Sequence, residues 1–157
     1  MTMAFLQWLE STAFSTWLKE SPSLLAYPAV LFLHTVGLVL VAGPSAIISL
    51  RLLGVGRQLP IAPLDRLFPV IWFGFWTSAV SGLVMLAVDA TSKLANPMFS
   101  VKMIFVAASV ALMVFVRRLL KTAEPARREP SRGRWLALAS LVCWAGAIAA
   151  GRFMAYF

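Results

Sequence analysis

The chain reads as an all-α, polytopic membrane protein: a four-helix bundle preceded by a short N-terminal interfacial helix. Three observations predict this. Hydrophobic residues make up 61% of the 157 positions, and mean hydropathy is +0.84. The stretches near 24–50, 67–88, 98–120 and 135–156 each supply the roughly 20 apolar residues that a helix needs to cross hydrocarbon. The net charge of +8 sits mostly in two of the connections between these stretches. Basic residues distributed in this way retain loops in the cytoplasm, and they do not form the patch or stripe of a nucleic-acid interface. The four spans leave no room for a separate soluble domain, so the chain is one membrane domain over 1–157.

The first element, about 3–19, is expected to lie in the membrane interface. Gln7, Ser11, Ser15 and Lys19 recur every four residues, and Phe5, Leu9, Ala13 and Trp17 form a second stripe. A signal peptide is disfavoured because the segment lacks a basic start and carries Glu10, Lys19 and Glu20. Ser21-Pro22-Ser23 breaks the pattern and opens the first span, in which Gly43-Pro44 predicts a kink. The connection after it holds Arg51, Arg57 and Arg66 against Asp65.

In the second span, Gly74, Ser78 and Gly82 form a small-residue face. Ala147, Gly151 and Ala155 do the same in the fourth, and such faces let helix backbones approach closely in lipid. Between the third and fourth spans, Arg117, Arg118, Lys121, Arg127, Arg128, Arg132 and Arg134 face only Glu124 and Glu129. With Pro125, Pro130 and Gly133, the linker from Thr122 to Gly133 reads as a mobile loop. Its cations are explained by topology control, and they also suit anionic headgroups. The positive-inside rule puts both basic connections in the cytoplasm and both termini on the periplasmic side of a bacterial inner membrane.

Ionisable groups inside a span are costly unless paired or hydrated, so each is a candidate site. At about 1.5 Å rise per residue, Lys102 and Arg152 fall roughly 8 Å from the outer boundary and His34 about 15 Å. Ser78, Ser81 and Tyr156 join the same layer, as do Met85, Met98, Met103 and Met154. Bland readings stand beside each: Lys102 and Arg152 can snorkel, His34 can simply bond a serine or carbonyl, and methionines fill cores. Cys143 is too solitary for a disulfide and reads as packing. Walker loops, zinc-ligand spacings, nucleophile elbows and dinucleotide fingerprints are absent from the sequence, which disfavours soluble-type hydrolase and nucleotide chemistry.

The series His34-Thr-Val-Gly-Leu-Val-Leu-Val-Ala-Gly, Leu50-Arg-Leu-Leu-Gly54, Asn96-Pro-Met-Phe-Ser-Val-Lys102 and Ala150-Gly-Arg152-Phe-Met-Ala-Tyr156 resembles a family of small, uncharacterised bacterial inner-membrane proteins. More distantly, the first-helix His and third-helix Lys look like the copper-resistance D-type proteins and the membrane protoporphyrinogen oxidases. That likeness implies a helix-borne His and Lys of functional weight, and heme b. One departure is Ser49, where the closer family carries an acidic residue two positions before the Arg of Arg-Leu-Leu-Gly.

Three functional expectations remain open. In the first, heme b or a porphyrin is bound in the outer half of the bundle for electron transfer or redox chemistry. His34 would be the iron ligand, Lys102 and Arg152 the propionate partners, and Trp76 and Tyr156 further contacts, with Met85 or Met103 available as a second ligand. In the second, His34, Met85 and Met103 hold copper, a reading opposed by the nearby cations. In the third, the chain is a non-catalytic accessory subunit of a larger membrane complex. Homodimerisation through the small-residue faces is a further expectation.

Overall fold

The computed structural model describes residues 2–23, 25–56, 58, 60, 62–121, 130–154 and 156. Among the described residues there are seven α-helices: α1 (Thr2–Glu10), α2 (Ala13–Glu20), α3 (Tyr27–Leu53), α4 (Phe68–Val88), α5 (Ala90–Ala95), α6 (Pro97–Lys121) and α7 (Pro130–Phe153). A 3-10 turn, Ala62–Leu67, leads into α4. Helices α3, α4, α6 and α7 are long and apolar enough to cross a membrane. The expected spans lie on these helices with ends shifted by a few residues, and the architecture is the four-helix membrane bundle that hydropathy predicts.

Each span ends where its local chemistry demands. Gly54, at φ 100°, adopts the left-handed conformation that closes α3, and its N–H bonds back to Arg51 and Leu50. Pro28 and Pro69 sit in the first turns of α3 and α4, where a missing N–H costs no helix bond. Helix α3 runs on through Pro44. The linker read at 122–133 lies outside the described residues over 122–129, and its final part, Pro130 to Gly133, opens α7.

The bundle consists of two closely packed pairs, α3 with α4 and α6 with α7, joined chiefly through α3 against α7. Backbone proximity explains the first pair. A Cβ added to Gly37 would stand 2.6 Å from the Ser78 amide nitrogen and 2.8 Å from the Gly74 carbonyl oxygen, and one added to Gly74 would stand 2.9 Å from the Gly37 carbonyl oxygen. In the second pair, a Cβ on Gly146 would meet the Phe105 ring at 2.8 Å. A main apolar cluster around Val41, Ile48, Phe68, Ile71, Met113 and Trp144 fills the centre and one end of the bundle. A smaller one, Leu18, Ala26 and Val88, closes the other end. Large side chains such as Phe32, Phe73, Trp76, Leu83 and Ile104 remain exposed, as expected of a surface solvated by lipid tails.

The N-terminal segment differs from the expected single helix. It is divided at Ser11-Thr12, where the Thr12 hydroxyl accepts from the Ser15 amide and caps α2. Of its polar stripe only Ser15 turns inward, at 1% exposed with its hydroxyl donating to the Leu9 carbonyl at 2.9 Å, while Gln7, Ser11 and Lys19 stay exposed. Phe5, Trp8, Phe14 and Trp17 face outward, the placement that suits an interfacial element. Glu10 fastens this segment to α5, accepting from the Thr91 amide at 2.6 Å.

Candidate functional site

His34, on the third turn of α3, faces the small-residue side of α4. A Cβ on Gly82 would lie 3.1 Å from its Cε1, so the glycine makes room for the ring. Nδ1 stands 2.9 Å from the Ser78 carbonyl oxygen, and the Ser81 and Ser78 hydroxyls are at 3.2 and 3.4 Å. A carbonyl only accepts, so Nδ1 donates. In the neutral ring, Nε2 then carries a bare lone pair. Among the described residues it has no hydrogen-bond partner. The serines have their own anchors: Ser81 Oγ donates to the Thr77 carbonyl at 2.6 Å.

His34 lines a cavity of about 290 Å³. Helix α4 contributes Phe75, Ser78, Ala79, Gly82, Leu83 and Leu86, the three-and-four spacing of one helix face. From α6 come Phe99, Lys102, Met103 and Val106, again a single face, and α3 adds Leu38 and Val41. Trp144 of α7 closes the far side. The walls are overwhelmingly apolar, so the His34 imidazole and the Lys102 ammonium stand out as chemical handles. Among the described residues Lys102 has neither an ion-pair nor a hydrogen-bond partner. Its aliphatic stem passes Gly151, where a Cβ would sit 3.7 Å from Cε.

The structure therefore brings His34 of α3 together with Lys102 and Met103 of α6 around one cavity. It keeps the other expected residues out of the cavity wall. Trp76 follows Phe75 by one position, about 100° around the helix, and is 62% exposed. Met85 is offset in the same way from Leu86, and its carbonyl accepts from the Lys93 ammonium. Arg152, one position past Gly151, is exposed, and Tyr156 is 74% exposed. Among the described residues no three His, Cys, Asp or Glu side chains gather as a metal-binding group.

Sequence reasoning missed Phe99 and Trp144 as cavity walls. The available signal for Phe99 was its three-residue spacing from Lys102 on one face of α6. Asn96 was missed as a tie: its side-chain oxygen caps Met98 N–H at 2.9 Å, and its amide reaches the Met154 carbonyl at 3.4 Å, joining the start of α6 to the end of α7. Comparison with protein-family models, curated proteins and solved structures returns no match.

Proposed function

We propose that this multi-pass membrane protein binds heme b or a related porphyrin in the His34–Lys102 cavity, in a bacterial inner membrane with both termini periplasmic. The observation that carries the reading is the fixed His34 ring. The Ser78 carbonyl accepts a hydrogen bond from Nδ1–H, which leaves Nε2 as the lone-pair ligand atom in an apolar, aromatic-walled cavity. The donor set suits the group: Nε2 for iron, Phe75, Phe99 and Trp144 against a flat ring, and Lys102 for a propionate. At about 290 Å³ the cavity stands near the lower edge of the roughly 300–1,000 Å³ of small-molecule sites, so part of a macrocycle would extend toward lipid. Bound heme would supply one-electron redox chemistry. The chain's own contribution is to orient the imidazole, neutralise a carboxylate and exclude water.

Copper has weaker support, because Met85 stands off the cavity wall and Lys102 shares the space with the imidazole. An accessory subunit with a purely structural polar layer predicts a colourless protein. Purification in mild detergent from heme-sufficient cells, with oxidised and dithionite-reduced spectra, separates these readings. The expected result is a Soret band with near-stoichiometric iron, lost in His34→Ala and restored by added imidazole. A colourless, iron-free wild-type protein overturns it.

A further inference from the structure

A second cavity lies at the end of the bundle that carries the α3–α4 and α6–α7 connections, away from His34. It encloses about 340 Å³ between α4 and α6. Its character is different: α6 contributes Arg117, Arg118 and Lys121 together with Met113, and α4 contributes Phe68 and Trp72. The Arg117 guanidinium rests 5.3 Å from the Phe68 ring centre. Its Nε lies 3.7 Å from Asp65 Oδ1, beyond hydrogen-bond reach, and both atoms are buried without a hydrogen-bond partner. This loose ion pair leaves hydrogen-bonding capacity unused on both groups.

From this juxtaposition we infer that the cavity is a site for one anionic phospholipid, its phosphodiester held by Arg117, Arg118 and Lys121 and an acyl chain laid along Phe68, Trp72 and Met113. Topology control accounts for cations in a loop, but it does not require an apolar-walled cavity beside them. Arg117, Arg118 and Lys121 bring three cationic heads to the cavity, and the aromatic Trp72 suits the headgroup level. The guanidinium fork matches phosphate oxygens. A free phosphate offers the same oxygens without a chain for the apolar wall, so the site should select the intact lipid.

The test uses the full-length protein in detergent, stripped of co-purified lipid and titrated with phosphatidylglycerol or phosphatidylcholine of identical chains, read by native mass spectrometry. The glycerol phosphate headgroup is the competing probe. The expected result is a preference of at least about tenfold for phosphatidylglycerol, undisturbed by millimolar glycerol phosphate. Arg118→Gln with Lys121→Gln should lower that preference by about tenfold or more, at roughly fivefold per cation. This variant leaves the Arg117 contacts with Phe68 and Asp65 in place. Arg66→Gln with Arg134→Gln removes the same charge outside the cavity and should leave the preference unchanged. Equal binding of the two lipids overturns the proposal, as does equal loss in both variants or full competition by glycerol phosphate.

Discussion

Two glycines of α3, six positions apart, have opposite roles. At Gly37, an added methyl would enter the Ser78 and Gly74 backbones, which cannot yield as a flexible side chain can. Gly37→Ala should therefore destabilise the α3–α4 pair by about 1–3 kcal/mol, the usual cost of overpacking. At Gly43 nothing lies within 4 Å of the added Cβ, so Gly43→Ala meets open space and gains helix propensity, up to about 1 kcal/mol. Reversible denaturation in mixed micelles should show the two variants shifting in opposite directions. A destabilised Gly43→Ala, or an unshifted Gly37→Ala, would contradict the packing described. The same scale explains why site residues were only partly legible. His34 and Lys102 are conspicuous as ionisable groups in apolar runs, whereas the exclusion of Trp76, Met85 and Arg152 depends on rotations of 100° that composition does not encode.

Among the elements, the N-terminal pair α1–α2 is held to α5 by a long-range polar tie. The Thr91 amide donates to Glu10 and holds its carboxyl below the usual carboxylate range, with Lys19 adding a smaller favourable charge. A carboxylate whose folded-state pKa is depressed contributes stability that is fully present above its unfolded pKa and lost as pH falls through the folded value. Docking of α1 should therefore be complete at neutral pH and weaken below about pH 4. Hydrogen exchange of the Thr91 amide follows it directly: protection should fall in that acid range in the wild type and be absent at neutral pH in Glu10→Ala, with the four spans unaffected. Unchanged Thr91 protection in the variant would rule the tie out. Hydropathy could not reveal this contact, since the partners are 81 residues apart. Nor could periodicity reveal the Thr12 cap, because Gln7, Ser11, Ser15 and Lys19 keep their four-residue spacing across the break.

At the level of the whole molecule, the four spans were legible because hydropathy averaged over some 20 residues depends little on how each helix is rotated. Facing was not legible, since α3, α4 and α7 are apolar nearly all round and carry only a weak directional stripe. The sidedness proposed from the basic connections has a direct test in a Cys143→Ser background. Ser92→Cys, exposed on α5, should react with a membrane-impermeant maleimide added to spheroplasts, and Val55→Cys, exposed after α3, should react only once the membrane is permeabilised. The reverse pattern would invert the proposed topology.

The His34 cavity also bears on cohesion. Its walls belong to both helix pairs, α3 and α4 on one side, α6 and Trp144 on the other. An occupant would act as the pin of a clasp. By mass action, one present at a hundredfold over its dissociation constant adds about 2.7 kcal/mol to the closed arrangement. If it is anionic, it also supplies the countercharge that Lys102 lacks among the described residues. Loading and assembly of the bundle are then a single equilibrium observed at two ends.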